Sequence, residues 1–255
     1  SKILENYIAT YDATVIKKLN AESPVLMGKT NLDEFAMGSS TEHSAFGPSK
    51  NPYDLTRVPG GSSGGSAVAV AAGEVLFALG TETGGSVRQP AAFCGIVGLK
   101  PTYGRCSRYG LMSLGSSFDQ PGVLAKTVED TAAAFQLMVG QDSFDSTTLP
   151  KPVPDYSRFF KDDLKGLKIG FPKEYFIQGM DQEVEQIVRQ AIKKFEELGA
   201  IVSEVSLPHS SYALACYYII LPVEVSANYS RYDGIRYGLS VAGKNLEEGY
   251  YHTRS

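Results

Sequence analysis

The chain has 255 residues, of which 43% are hydrophobic and 20% charged, and its formal net charge is −4. This composition can bury a sizeable core, which excludes an intrinsically disordered chain. Lys plus Arg number 24 against 28 Asp plus Glu, and neither sign forms a long block, so the charges indicate neither a nucleic-acid-coating surface nor a polybasic membrane surface.

The first predicted elements are short. Asp12 is placed to cap a helix over residues 12–18, and the apolar residues 25–27 predict a short strand. Small residues at 67–73 predict a tightly packed helix. The apolar segment 75–79 that follows predicts a buried strand.

The middle of the chain predicts a helix and then a surface loop. Thr127, followed by an acidic first turn, favours a helix that reaches Met138. Residues 141–161 carry three prolines among polar residues, so they predict a loop and a candidate subdomain boundary. The longest apolar stretch, 213–222, has about half of the roughly 20 residues that cross a bilayer, and no membrane contact is expected.

Three consecutive segments predict a β-α-β unit. Apolar residues recur at helical spacing over 181–198, which predicts a helix with one buried face. Segments 167–171 and 200–207 predict the strands on either side of this helix. A crossover helix between two strands favours an α/β fold.

Cysteine and histidine usage indicates neither disulfides nor a metal site. Cys94, Cys106 and Cys216 form no Cys-x-x-Cys pair, so we expect reduced thiols in a cytoplasmic protein. Cys94 is expected to be a small buried residue, because nothing near it in sequence would lower the pKa of its thiol. None of the three histidines is near a cysteine in sequence, and no metal is expected.

Glycine and serine concentrate in two blocks, residues 60–66 (GGSSGGS) and residues 80–86 (GTETGGS). Such a loop can turn several N–H groups toward one point, as an oxyanion or a phosphate requires. Flexible linkers share this composition. The apolar helix and strand predicted between the two blocks argue against a linker, because a flexible tether would not bury them.

Two general motifs compete for this region. Residues 28–30 (GKT) match the end of a phosphate-binding P-loop, but the glycine required five residues earlier is a serine. Residues 61–65 satisfy G-x-S-x-G with Ser63 at the centre, which is the nucleophile elbow of serine hydrolases. That motif needs a strand immediately before it, whereas residues 51–59 contain two prolines and predict a poor strand.

The two blocks also form part of a longer pattern. Residues 60–66, 80–95 (GTETGGSVRQPAAFCG) and 98–102 (GLKPT) resemble the amidase signature family. The similarity to the glutamine-hydrolysing members of that family extends to residues 28–38, 103–105 and 231–238 (RYDGIRYG) and covers essentially the whole chain. The resemblance implies an α/β fold with a mixed twisted β-sheet flanked by helices on both faces.

The resemblance further implies a Ser, cis-Ser, Lys triad. Ser86 would be the nucleophile that forms the acyl ester, and Ser62 the bridging serine of the charge relay. A serine hydroxyl is too weak a nucleophile unaided. A neutral lysine, with its pKa lowered by burial, can act as the base through the second hydroxyl. Ser63 and Arg88 are expected to support the triad.

Two further sets of residues carry roles that the resemblance implies. Glycines immediately before a nucleophile let backbone N–H groups face the tetrahedral oxyanion, where one donor is typically worth ~3 kcal/mol of barrier. The expected oxyanion-hole residues are Thr83, Gly84 and Gly85, and the residues expected to border the glutamine pocket are Met37, Gly38 and Ser39.

The chain departs from the family pattern at the lysine that would be the base of the triad. The family lysine lies in a Lys-Asp pair upstream of the segment that aligns with residue 1, whereas the pair Lys161–Asp162 is far downstream. The family domain also continues past the segment that aligns with residue 255. We therefore expect residues 1–255 to be an amidase domain incomplete at both ends and inactive by itself.

The implied function is that of the glutaminase subunit of a glutamyl-tRNA(Gln) amidotransferase. The partners would be glutamine, two further subunits designated B and C, and charged tRNA bound through the complex. The chain itself would bind no cofactor, while a partner subunit would use ATP and Mg to amidate glutamyl-tRNA(Gln) and, in some members, aspartyl-tRNA(Asn). A free-standing amidase acting on small or aryl amides, and a noncatalytic assembly fragment, remain as alternatives.

Overall fold

The computed structural model describes residues 1–160 and 163–254, so the pair Lys161–Asp162 lies outside the described residues. The described α-helices are α1 (Thr14–Asn20), α2 (Gly64–Ala71), α3 (Arg88–Phe93), α4 (Val128–Met138), α5 (Gln182–Glu197), α6 (Ser210–Tyr229) and α7 (Leu246–Arg254). The described strands are β1 (Phe77–Glu82), β2 (Val97–Leu99), β3 (Gln120–Ala125), β4 (Lys168–Pro172) and β5 (Ile201–Val205). These elements confirm the α/β class.

An antiparallel sheet of strand order β1-β3-β2 forms the core of the first half of the chain. Successive side chains of a strand point to opposite faces. Val123 accordingly packs with Met138 of α4 and with residues of α1, and Leu124 packs with Val70 of α2 and with residues of α3. All of β3 is buried. Helices therefore cover both faces of this sheet, as predicted.

The second sheet contains only β4 and β5, which pair in parallel with Lys168 opposite Ile201. The helix α5 joins them, which confirms the predicted β-α-β unit, and Asp181 caps α5 by accepting from the N–H of Glu183 at 2.8 Å. The predicted buried face of α5 is wrong, since Ile187 is 64% exposed. A sheet of two five-residue strands has too little surface to cover a helix of 16 residues.

The first helix begins later than predicted. Its N-cap is Ala13, and Asp12 makes no capping hydrogen bond. Instead, the backbone N–H of Thr14 donates to the carbonyl of Tyr109 at 3.1 Å. A distant backbone group thus satisfies one of the N–H groups for which a side-chain cap was expected.

Two predicted strands also differ from the structure. Residues 25–27 form no strand, and their side chains are 70–84% exposed, because no described strand pairs with them. The strand predicted over 75–79 begins at Phe77 and continues to Glu82, since its pairing with β3 extends to Gln120. The extension carries β1 into the second glycine-rich block.

The structure divides into two compact units. One contains Ser1–Ser157 and Val223–Ser255, and the other contains Arg158–Pro222. The division after Ser157 lies within the 141–161 segment, the candidate boundary. A domain boundary there, and an amidase domain incomplete at both ends, stay predictions.

A membrane-spanning helix and a cluster of metal ligands are both absent from the part of the chain that the structure describes. None of its helices combines the length and the apolar character that crossing a membrane requires. No three His, Cys, Asp or Glu side chains lie close enough together to hold a metal ion. The expectation that the chain binds no metal stays a prediction.

Candidate functional site

The two glycine-rich blocks meet beside the first sheet. The first block leads into α2, and the second connects β1 to α3. The backbone N–H of Ser63 donates to the carbonyl of Ser86 at 3.1 Å, so the segments that carry the two predicted catalytic serines are in direct contact. Ser62 is buried, Ser86 is half-buried, and the peptide bond between Gly61 and Ser62 is cis. Neither the Ser62 nor the Ser86 hydroxyl hydrogen-bonds to another described residue.

Close contact with the Asp33 side chain and with the Asn31 backbone explains two of the glycines in the first block. A Cβ at Gly61 would lie 2.1 Å from Oδ2 of Asp33, and a Cβ at Gly65 would lie 2.3 Å from the carbonyl oxygen of Asn31. Asp33 is fully buried and accepts from the N–H of Thr41 at 2.9 Å. The segment before the first block is therefore packed directly against it.

The loop of residues 83–86 keeps its N–H groups available. None of these four N–H groups donates to an acceptor within the described residues. The next two N–H groups, of Val87 and Arg88, donate to the buried carboxylate of Glu82 at 3.0 and 2.9 Å. Gly85 has φ +123°, a conformation that favours glycine. The N–H groups that follow the loop thus bond to Glu82, while the four N–H groups of the loop itself donate to no described residue.

Two carboxylates, of which Glu82 is buried and Asp119 is half-buried, hold this loop, and sequence reasoning assigned neither of them a role. Glu82 pairs with Arg88, whose Nε donates to it at 2.7 Å. Asp119 accepts from the Thr83 hydroxyl at 2.5 Å and from the N–H of Leu114 at 2.8 Å. Burial raises the pKa of Asp119, against the opposing effect of these hydrogen bonds. No local sequence signal could have identified the Asp119–Thr83 pair, because its members are distant in sequence. The supporting role of Arg88 stays a prediction.

The residues predicted to border a glutamine pocket lie beside Ser62. A Cβ at Gly38 would lie 3.2 Å from the backbone nitrogen of Ser62, and the peptide bond between Gly38 and Ser39 is cis. The carbonyl of Ser39 accepts from Nε2 of Gln89 at 3.1 Å, and Met37 is 45% exposed. The structure thus brings this segment to Ser62 and to Gln89, while its role in binding glutamine stays a prediction.

Neither general motif has the structural context that it requires. Ser63 is the N-cap of α2, but residues 51–59 before it form no strand, as a nucleophile elbow would need. The Ser63 hydroxyl instead donates to the carbonyl of Thr81 at 3.4 Å. The GKT sequence at 28–30 lies in coil that runs to residue 33, whereas a P-loop leads directly into a helix.

The three cysteines differ in exposure, which predicts their reactivity. Cys94, as expected, and Cys106 are fully buried, whereas Cys216 is exposed. Burial raises the pKa of Cys94 to about 11 and that of Cys106 to about 12. Because the thiolate is the reactive form, iodoacetamide at neutral pH should modify only Cys216 in the folded chain and all three cysteines after unfolding.

Mass spectrometry of the alkylated protein checks this expectation. The Cys216→Ser variant should take up no label until it is unfolded. Rapid labelling of Cys94 or Cys106 in the folded state would contradict their burial.

Comparison with known proteins gives concordant matches. The sequence matches the Amidase family over residues 1–255. It is 57% identical to the A subunit of glutamyl-tRNA(Gln) amidotransferase from Moorella thermoacetica, covering all of this chain and 52% of that protein. It is 62% identical to the protein of the same name from Carboxydothermus hydrogenoformans, covering all of this chain and 53% of that protein.

Solved structures give the same result. The crystal structure of the A subunit of glutamyl-tRNA(Gln) amidotransferase from Thermotoga maritima matches 89% of this chain and 50% of its own, with a TM-score of 0.85 and 50% identity. The native peptide amidase from Stenotrophomonas maltophilia matches 87% of this chain and 47% of its own, with a TM-score of 0.75 and 36% identity. The chain thus spans about half the length of the curated relatives it matches.

Proposed function

This chain belongs to the amidase signature family, and from that premise we propose that the full-length protein is the glutaminase subunit of a glutamyl-tRNA(Gln) amidotransferase. One observation carries the chemistry: the Ser62 and Ser86 segments are in contact beside a loop whose N–H groups are unused. Two relatives at 57% and 62% identity are named as subunits of this amidotransferase, which favours the amidotransferase over other amidases.

In the proposed reaction, Ser86 Oγ attacks the carbon of the glutamine side-chain amide. The N–H groups of the 83–86 loop stabilise the resulting oxyanion, and ammonia leaves. Ser62 relays the Ser86 proton to a lysine that the family resemblance places before the segment aligned with residue 1, and the same relay returns a proton to the departing nitrogen. Water then hydrolyses the acyl-enzyme to glutamate. The absence of competing hydrogen bonds at either hydroxyl within the described residues supports these two roles.

The ammonia passes to a partner subunit in a cytoplasmic heterotrimer with subunits B and C. That partner uses ATP and Mg to amidate glutamyl-tRNA(Gln) and, in some members of the family, aspartyl-tRNA(Asn). The net charge of −4 supports placing the main tRNA contacts on the partner rather than on this chain.

Ammonia release from glutamine, measured with and without the partners, tests the proposed function. We expect release by the full-length protein to rise when subunits B and C and charged tRNA are added. The 255-residue chain by itself is expected to release none, because the proposed lysine is not among its residues. Turnover by that chain, if Ser86→Ala removes it, would contradict the proposed location of the base.

The same assay separates the two alternatives. Hydrolysis of simple amides that does not depend on partners would identify a free-standing amidase. Binding of the partner subunits by a full-length protein that fails to react with a fluorophosphonate probe would identify a noncatalytic assembly component.

A further inference from the structure

Gln89 lies on the first turn of α3, three residues after Ser86, and contacts three segments of the site. Its backbone N–H donates to the carbonyl of Gly85 at 2.8 Å. Its side-chain Oε1 accepts from the N–H of Gly61 at 2.9 Å, and its Nε2 donates to the carbonyl of Ser39 at 3.1 Å. One residue therefore connects the loop that ends at Ser86 with both neighbouring segments.

The two side-chain contacts determine the orientation of the amide. The N–H of Gly61 can only donate and so must face Oε1, while the carbonyl of Ser39 can only accept and so must face Nε2. The fit is also close, because a Cβ at Gly60 would lie 2.5 Å from Oε1 of Gln89. Gly60 has φ +81°, so a larger residue there would be strained as well as crowded.

The two contacts fall on parts of the site with different proposed roles. Gly61 immediately precedes Ser62, so the contact with Oε1 acts on the bridging serine. Ser39 belongs to the segment predicted to border the glutamine pocket, so the contact with Nε2 acts on substrate binding. The Ser62 and Ser86 hydroxyls bond to no other described residue, so the contacts that the neighbouring backbone makes, those of Gln89 included, determine the separation of the two hydroxyls.

We propose that Gln89 is a positioning residue for glutamine hydrolysis. Its Oε1 fixes the position of the bridging serine relative to the nucleophile, and its Nε2 fixes the position of the Ser39 segment for glutamine binding. The inference rests on the proposed function and extends it to a side chain that sequence reasoning had assigned no role. It also predicts that the Oε1 contact and the Nε2 contact of the same amide group have different effects on kcat and KM.

Two substitutions in the full-length protein, assembled with its partner subunits, separate these effects. Gln89→Leu removes both contacts, and we expect kcat to fall by roughly 100-fold, as misplacement of a catalytic group by about 1 Å can cause. Gln89→Glu keeps an acceptor for Gly61 but loses the donor to Ser39. For this variant we expect KM for glutamine to rise by about tenfold, the usual scale for one hydrogen bond, and to change more than kcat.

Labelling of Ser86 by a fluorophosphonate probe reports on the nucleophile without glutamine. It should be slower in Gln89→Leu than in Gln89→Glu, whereas a purely structural role would lower kcat and labelling alike in both variants. Gln190→Leu is the matched control, because Gln190 is exposed on α5, and it should leave every parameter unchanged.

The outcomes distinguish the inference from the proposed function. Wild-type kinetics in both Gln89 variants, with glutaminase activity that Ser86→Ala abolishes, would overturn the inference and leave the proposed function standing. A wild-type KM in Gln89→Glu overturns it even if Gln89→Leu does not fold. A wild-type complex that neither hydrolyses glutamine nor labels at Ser86 would overturn both.

Discussion

Replacing Ser86 with alanine is expected to lower kcat for glutamine hydrolysis in the full-length protein by at least about 10⁴-fold, because no other group would form the acyl ester. The substitution removes only the hydroxyl and keeps the backbone N–H of residue 86. Since the Ser86 hydroxyl bonds to no other described residue, the fold loses no hydrogen bond. The melting temperature should therefore stay close to that of the wild type while activity disappears.

Ammonia release from glutamine, compared with the melting temperature of the same preparation, measures this effect. Ser240→Ala is a suitable control, since Ser240 is exposed and lies outside both glycine-rich blocks. Full activity in Ser86→Ala would show that another residue is the nucleophile. Ser63, the central serine of the competing motif, would then be the next candidate.

Alanine at position 65 is expected to destabilise the fold by about 3 kcal/mol or more, in the upper range for added volume in a packed site. The new Cβ would lie 2.3 Å from the carbonyl oxygen of Asn31 and 2.6 Å from its nitrogen. These are backbone atoms that cannot rotate away. Gly65 also donates its N–H to that same carbonyl at 3.0 Å, so relieving the clash would break a hydrogen bond.

Thermal unfolding of the full chain measures the loss, and we expect a melting temperature roughly 6–12 °C lower for a chain of this size. Gly249→Ala in α7 is the matched control. Its nearest neighbour would lie 3.7 Å from the new Cβ, and alanine is favoured over glycine inside a helix by up to ~1 kcal/mol. Equal melting temperatures for the two variants would show that Asn31 does not pack against α2.

Local signals predicted where α4 and α5 begin and end. Thr127 and Asp181 cap these helices through N–H groups two or three residues away, so the information lies within one turn. Where the partner is remote, prediction failed. The carbonyl of Tyr109, not the side chain of Asp12, accepts a hydrogen bond from the N-terminus of α1. Residues 25–27 have no described strand beside them. A strand exists only when another strand pairs with it, and a short segment does not specify that partner.

The sequence likewise predicts only part of the candidate site. The sequence alone was sufficient to recognise the amidase family, because its motifs are contiguous in the chain. That resemblance predicts Ser62 and Ser86 as the catalytic serines. The contacts that hold these serines became visible only in the folded chain. Asp119 bonds Thr83, and Gln89 bonds Gly61 and Ser39, across separations that no local pattern encodes. A hydrogen bond needs two groups within about 3 Å. The pairing of β1 with β3, which puts Glu82 opposite Gln120, brings Thr83 to Asp119, and the position of α3 beside the first block brings Gln89 to Gly61.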